Sequence, residues 1–202
     1  MADYIYTMEI RLTPDQLKGV GLVQDVARAA GMNLYLTGGA IRDIISGFSI
    51  RDLDFTVQGN PLKLQKDLEK AGAKITFVEE DMRTIFISLP GNGRAEISMA
   101  RTERFEKTGK PPLVTPATIH DDLRRRDFTV NAMAIDLRSG ALLDPHDGRG
   151  DLPRHGQRLV ERNGPLGDPI RQRRAFDQFQ HQGTNAVRFF QAVDGGDVWM
   201  IE

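Results

Sequence analysis

Two acidic side chains lie two residues apart in the segment Arg51-Asp-Leu-Asp-Phe55. The segment belongs to a predicted strand over 50–57, so the carboxylates of Asp52 and Asp54 leave the same face, with Cα atoms roughly 6–7 Å apart. Such a pair can bind hard divalent cations, and two cations roughly 3.5–4 Å apart can support phosphoryl or nucleotidyl transfer. Glu96, on a later predicted β segment, is the candidate third carboxylate. The alternative is a solvated edge strand whose two aspartates have no chemical role.

A glycine pair, Gly38-Gly39, separates a predicted strand over 34–36 from a predicted short helix over 40–46. Without side chains, this turn lets phosphate oxygens approach backbone N–H groups at a helix N-terminus. Arg42, one turn into the helix, can reach the same anion. A lone glycine pair is more often a plain tight turn. Because this pair comes just before the strand with the two aspartates, neighbouring strand ends can present phosphate donors and metal ligands to one triphosphate.

Two further clusters combine arginine with acceptor groups. The run Arg124-Arg125-Arg126 is followed by Asp127, Thr129 and Asn131, which together can bind phosphate, ribose hydroxyl and backbone. The alternative for this run is a solvated helix face.

In the second cluster, Asp168 and Arg171 would share a face if their segment is helical, and could offer an acceptor and a donor to the edge of a base. The alternative there is a surface ion pair between residues three apart.

Composition limits the class of protein. The chain has 202 residues, a net charge of −1 and no cysteine, so disulfides and thiolate metal sites are excluded. Because the net charge is −1, any contacts with nucleic acid must be local. The N-terminus lacks the pattern of a signal peptide, and no apolar run approaches the length of a membrane span. We expect a cytoplasmic protein that does not contact membranes.

The spacing of apolar and turn residues predicts a mixed α/β pattern with no internal repeat. Thr13-Pro14-Asp15-Gln16 predicts the start of a helix over 14–30. Residues 102–118 combine charges, glycine and proline, and are predicted to form a mobile loop. The remaining predicted elements are a helix over 61–71, β segments over 74–78, 84–89 and 95–100, a helical stretch leading into 125–134, a hairpin formed by 132–137 and 141–143, and a loop over 144–151.

Three motifs, in this order, resemble the head of the bacterial class II tRNA nucleotidyltransferases (CCA-adding enzymes) and poly(A) polymerases. They are LTGGAIRD over 36–43, RDLD over 51–54 and RRDFTVNAMA over 125–134. Asp144-Pro145, Gly148 and Asp151-Leu152 resemble the family's link into its neck domain, so the resemblance covers about residues 32–174. Each motif alone is weakly specific, whereas the ordered set is specific.

The resemblance implies an α+β fold of the polymerase-β-like nucleotidyltransferase type, with a mixed, mainly antiparallel sheet and helices on one face. It divides the chain into an N-terminal extension with a helix over 1–31, the head over 32–138 and the start of a helical neck over 139–202. After about residue 174 the chain departs from the family's neck pattern. We therefore expect a truncated or frame-shifted chain.

The resemblance also implies roles for individual residues. Gly39 and Arg42 would contact the incoming triphosphate, while Asp52 and Asp54 would hold Mg²⁺ in a two-metal site supported by Glu96. The residues expected at nucleotide phosphates, ribose and the hinge between head and neck are Arg126, Asp127 and Asn131. Those expected to read the base edge of ATP or CTP are Asp168, Arg171 and Arg174.

The expected activity is template-independent addition of C or A nucleotides, from CTP or ATP, to the 3′ end of tRNA or another RNA. Two alternatives stay open within the family: a truncated head that binds nucleotide and metal without transferring anything, and a poly(A) polymerase. A third alternative is an unrelated α/β domain. The sequence does not decide between CCA, CC and A addition, nor does it indicate an oligomeric state.

Overall fold

The computed structural model describes residues 4–91, 93–106 and 111–152, together with the short strands Ala192–Val193 and Asp197–Val198. The chain forms two compact units, of which the first comprises 1–104 and 113–152 and the second comprises 105–112 and 153–202. Most of the neck predicted over 139–202 therefore lies outside the described residues. All the features below belong to the first unit.

Five α-helices of the first unit have both ends among the described residues, and residues 148–152 are also helical. The five helices are α1 (Tyr4–Arg11), α2 (Pro14–Ala29), α3 (Gly39–Ser46), α4 (Gln65–Lys70), which follows a 3₁₀ turn over Pro61–Leu64, and α5 (Ile119–Arg124). A second 3₁₀ turn covers Thr129–Asn131. The strands are β1 (Asn33–Thr37), β2 (Asp52–Gln58), β3 (Lys74–Glu79), β4 (Thr84–Ser88), β5 (Arg94–Met99), β6 (Arg101–Arg104), β7 (Leu113–Pro116), β8 (Ala134–Asp136) and β9 (Leu142–Leu143).

Seven strands form one sheet in the order β3-β4-β5-β2-β1-β8-β9. The pair β2–β5 is parallel and the other neighbours are antiparallel, so the expected mixed, mainly antiparallel sheet is confirmed. Along β2, Leu53, Phe55 and Val57 are buried in the main core with residues of α1 to α4. Because successive side chains of a strand alternate between faces, Asp52, Asp54 and Thr56 point to the other side. We call that side the open face.

Helix α2 starts as predicted and fixes the segment that leads into β2. The Oγ1 of Thr13 accepts a hydrogen bond from the N–H of Gln16 at 3.2 Å, and Oε1 of Gln16 accepts one from the N–H of Thr13 at 2.9 Å. This reciprocal capping box satisfies two N–H groups that a helix start otherwise leaves unpaired. The amide of Gln16 also donates to the carbonyl of Ile50 at 2.8 Å. The cap of α2 therefore holds the backbone immediately before the aspartate pair.

One helix packs on the open face, so the expectation of helices on one face holds for α1 to α4 only. Ile119 and Leu123 of α5 form a small buried cluster with Tyr35 and Ala134. Tyr35 alternates with Leu34 and Leu36, which belong to the main core, so this cluster lies on the opposite side of the sheet. Among the described residues, α5 covers the β1–β8 region of the open face.

One local prediction was wrong, and one helix was not predicted. The loop predicted over 102–118 contains the antiparallel pair β6–β7, in which Thr102 lies opposite Thr115 and Glu103 opposite Val114. β-Branched residues favour strands, and Pro116 is tolerated because it ends a strand in a two-stranded ladder. Helix α1 was not predicted, yet its Met8 is buried in the main core.

The predicted hairpin over 132–143 is confirmed as β8 and β9. Among the described residues, no helix has both the length and the apolar character that crossing a bilayer requires.

Candidate active site

Three carboxylates meet on the open face of the sheet. Asp52 and Asp54 lie on β2, and Glu96 lies directly opposite Asp54 on the adjacent parallel strand β5. Neighbouring strands are about 4.8 Å apart, so the carboxylates of Asp54 and Glu96 project side by side. The structure thus places the three predicted carboxylates on one face of two adjacent strands.

Burial and mutual repulsion raise the pKa values of two of these carboxyls. The pKa of Asp54 is raised to about 6, mainly by desolvation and also by the charge of Asp52, while the Arg126 guanidinium opposes the shift. The pKa of Glu96 is raised to about 7, again mainly by desolvation, with the charge of Asp54 adding to it. Desolvation therefore disfavours the charged form of both carboxyls. A bound cation would favour that charged form.

The donor atoms fit a hard divalent cation, although no complete ligand cage is preformed. Oδ1 of Asp52 is buried and has no hydrogen-bond partner. Arg94 Nε lies 3.0 Å from this atom, close enough for an ion pair, and Arg94 Nη2 donates to Oδ2 of Asp52 at 3.2 Å. The side chain of Arg94 is 77% exposed and can move aside. Within the part of the chain that is described, no three His, Cys, Asp or Glu residues are arranged to hold a metal ion.

The glycine turn lies against Asp54. Gly38 has φ +67°, which disfavours any residue with a side chain. A Cβ atom at Gly38 would lie 3.1 Å from Oδ2 of Asp54 and 3.6 Å from Nη1 of Arg126. The next residue, Gly39, begins α3, so the positive end of this helix points at the same place. The structure thus brings an anion-binding turn, a candidate metal ligand and an arginine together.

Arg126 is fixed by several contacts at the edge of the carboxylate site. Its Nε and Nη2 donate to Oδ2 of Asp122 at 3.2 and 3.0 Å, and its Nη2 lies 3.4 Å from Oγ1 of Thr56. Its Nη1 donates to the carbonyl of Asn131 at 3.3 Å. The side-chain oxygen of Asn131 in turn accepts from Nη1 of Arg42 at 3.4 Å. The predicted phosphate and ribose residues Arg42, Arg126 and Asn131 therefore form one connected group.

Asp122 was missed by the sequence analysis. Its side chain is only 1% exposed, and its Oδ1 accepts hydrogen bonds from Nη2 of Arg125 at 2.7 Å and from the backbone N–H of Arg101 at 3.2 Å. With Arg126 on Oδ2, this carboxylate orients both arginines of the RRD motif. The available signal was its position four residues before Arg126, the spacing at which side chains on one helix meet.

Asp127 does not join this group. Asp127 is exposed, and its Oδ1 accepts a hydrogen bond from the N–H of Phe128 at 3.0 Å. Asp168, Arg171 and Arg174 lie outside the described residues.

Comparison with known proteins gives consistent matches. The sequence model of the Poly A polymerase head domain matches residues 34–158. The A-adding tRNA nucleotidyltransferase of Halalkalibacterium halodurans is 34% identical over 168 residues, which cover 81% of this chain and 39% of that protein. The CC-adding tRNA nucleotidyltransferase of Deinococcus radiodurans is 38% identical over 137 residues, covering 65% and 37%.

Among solved structures, the CCA-adding enzyme of Thermotoga maritima complexed with tRNA has a TM-score of 0.61 and 30% identity, covering 75% of this chain and 34% of that one. The chain thus spans about two fifths, or less, of the length of these proteins.

Proposed function

Because the chain belongs to the Poly A polymerase head domain family, we propose that it is the catalytic head of an enzyme that adds C or A nucleotides to the 3′ end of tRNA. The observation that carries this proposal is the juxtaposition of Asp54 and Glu96 with Gly38 and Arg126. It combines candidate metal ligands with anion donors, which is what nucleotidyl transfer requires. The absence of cysteine is compatible with a reducing compartment, and we place the activity in the cytoplasm.

In this proposal Asp52 and Asp54 hold Mg²⁺, and Glu96 supports them from β5. When bound, the metal ions neutralise the charge that develops as the 3′ hydroxyl attacks the α-phosphate and pyrophosphate leaves. Two observations support these ligand roles. The buried Oδ1 of Asp52 has no hydrogen-bond partner and pairs with the exposed Arg94, and desolvation raises the pKa of Asp54.

The triphosphate would lie at the turn of Gly38 and Gly39, within reach of Arg42 and Arg126. The backbone N–H groups of the turn and the two guanidinium groups donate hydrogen bonds to phosphate oxygens. Arg126 enters this role already oriented, because Asp122 accepts from two of its nitrogens. Asn131, which contacts both arginines, would help to fix the ribose.

We keep Asp127 as a candidate for the ribose or the hinge and Asp168, Arg171 and Arg174 as candidates for reading the base edge. The similar proteins differ in their products, since one is named A-adding, one CC-adding and one CCA-adding. Both CTP and ATP are therefore candidate substrates. Polyadenylation is a further outcome within the same family.

A second candidate is a head that binds nucleotide and metal but transfers nothing. Transfer is named for proteins of which this chain matches 39% or less, so binding and transfer are tested separately.

One experiment separates the two candidates. The purified chain is incubated with Mg²⁺, a tRNA that lacks its terminal CCA, and labelled CTP or ATP in separate reactions, and the products are sized on a gel. In parallel, the unfolding temperature is measured with each nucleotide, because binding to the folded state alone stabilises it by RT ln(1 + [L]/Kd). Label in the RNA supports transfer and names the nucleotide. Stabilisation without label supports the binding-only head. If there is neither label in the RNA nor stabilisation by nucleotide, both candidates are refuted.

A further inference from the structure

A row of four side chains crosses the open face from the carboxylates to the edge of the sheet. The strand registers place Asp54 opposite Glu96, Glu96 opposite Phe86, and Phe86 opposite Phe77. With strands about 4.8 Å apart, Phe86 lies one strand spacing from Glu96 and Phe77 lies two. The row therefore joins a pair of aromatic rings directly to the candidate active site.

A β-bulge puts Phe77 on the open face. The register of β3 against β4 shifts between Ile75 and Phe77, while Ile75 and Val78 both pack against the main core. Without the extra residue in between, Ile75 and Phe77 would point to the same face. Bulges commonly re-aim side chains beside functional sites. Here the bulge moves a phenylalanine out of the core and beside Phe86.

The two rings form a partly exposed surface. Their centroids are 5.8 Å apart with an interplanar angle of 39°, and Phe77 is 58% exposed while Phe86 is half-buried. The next row of the same face carries exposed basic groups, because Arg94 lies opposite Ser88 and Ser88 lies opposite Lys74. Proteins bind single-stranded nucleic acid with aromatic rings that lie beside basic side chains. The rings stack on bases and the cations contact phosphates.

The arrangement of the carboxylate site indicates which reactant would lie beside the two rings. The anion donors Gly38, Arg42 and Arg126 lie on the β1 side of β2, whereas Glu96 and the rings lie on the β5 side. In nucleotidyl transfer the attacking and leaving oxygens are roughly in line. A triphosphate held on the β1 side therefore leaves the β5 side to the attacking 3′ end.

We propose that Phe77 and Phe86 form a stacking platform for the nucleobases at the 3′ end of a single-stranded RNA that enters the candidate active site. This inference rests on the proposed function, because the direction of attack depends on where the triphosphate binds. Arg94 and Lys74 contact the backbone phosphates of the same RNA.

The test uses the whole chain and two short single-stranded RNAs, one with all its bases and one whose 3′-terminal nucleotide lacks its base. Dissociation constants are measured by fluorescence anisotropy for the wild type and for Phe77→Ala, Phe77→Trp and Phe48→Ala. Phe48 is the matched control, since it is 64% exposed and lies between α3 and β2, outside the strands β3, β4 and β5 that carry the rings and Glu96. Magnesium-dependent binding of CTP and ATP is measured by calorimetry on the same samples.

We expect Phe77→Ala to weaken binding of the intact RNA roughly 5- to 150-fold, the range found when a stacking aromatic is removed. Phe77→Trp should keep the affinity, and Phe48→Ala should not change it. The RNA without its terminal base should bind the wild type less tightly, and Phe77→Ala should lower that binding by a smaller factor. Nucleotide binding should be the same in all four proteins.

Equal RNA affinity of the wild type and Phe77→Ala, with nucleotide binding intact, would overturn the platform and leave the proposed function standing. So would a wild type that binds nucleotide but not RNA. A wild type that binds no nucleotide would instead remove the proposed function, and the inference with it.

Discussion

Replacing Asp54 by Asn should stabilise the metal-free chain at neutral pH. In the folded protein the pKa of Asp54 is raised from 3.8 to about 6, mainly because its carboxylate is desolvated. The folded state therefore binds a proton more readily than the unfolded state. This carboxyl destabilises the fold above pH 6, and the loss is regained as the pH falls from about 6 towards 3.8.

The magnitude follows from the same shift. A change of about two pKa units corresponds to about 3 kcal/mol as an upper bound, since one unit is about 1.4 kcal/mol. This shift already includes the attraction of Arg126, but an amide does not reproduce the contacts of a carboxylic acid. We therefore expect the net gain for Asp54→Asn to be about 1–3 kcal/mol at pH 7.5 and close to zero at pH 4.

The assay is urea denaturation in the presence of a chelator at both pH values. Asp25→Asn is the control, because Asp25 is exposed on α2 and pairs with its helix neighbour Arg28. Adding Mg²⁺ at pH 7.5 should stabilise the wild type and not Asp54→Asn. If Asp54→Asn lowers the free energy of unfolding by the same amount at both pH values, the description of Asp54 as a desolvated carboxylate with a raised pKa is refuted.

Three further predictions concern the same site. Asp122→Ala should lower the free energy of unfolding by about 3–5 kcal/mol, because it leaves two arginines without their buried partner, and denaturant titration measures this. Gly38→Ala should destabilise the fold by about 1–2 kcal/mol, owing to its positive φ and the contact with Asp54, and should weaken nucleotide binding in calorimetry. Gly21→Ala is the control, because a Cβ there meets nothing within 4 Å, and it should be neutral or stabilising by up to about 1 kcal/mol. Binding of Mg²⁺ should strengthen between pH 6 and pH 8, because protons compete for carboxyls with pKa values of about 6 and 7, and titration calorimetry at each pH checks this.

Each of these has an outcome that contradicts it. A loss below about 1 kcal/mol for Asp122→Ala would mean that its contacts are replaceable, as for a surface ion pair. Unchanged nucleotide binding in Gly38→Ala would remove the glycine turn from the phosphate site. Binding of Mg²⁺ that does not depend on pH would exclude both buried carboxyls as ligands.

Local features of the chain were readable from the sequence. The capping box at Thr13 and Gln16 uses neighbouring residues, so the start of α2 followed from their types alone. The shared face of Asp52 and Asp54 followed from the period of a strand, which needs no knowledge of the partners. The position of Glu96 required only that β5 pair with β2 in the right register, and it does.

Features that depend on long-range pairing were not readable. The β6–β7 ladder joins residues on either side of a segment rich in glycine and proline, and such composition predicts a loop. The aromatic pair depends on a bulge in β3, and a one-residue change of register moves a side chain to the other face. The burial of Asp122 depends in part on Arg101, which is remote in sequence, so this residue was not predicted.

The most direct test of the central claim is the transfer of labelled CTP or ATP to a tRNA that lacks its terminal CCA, compared between the wild type, Asp52→Asn, Asp54→Asn and Asp25→Asn. We predict incorporation by the wild type and by Asp25→Asn, and none by either variant of the β2 carboxylates while both remain folded. Incorporation at the wild-type rate by Asp52→Asn and Asp54→Asn would contradict the assignment of this site.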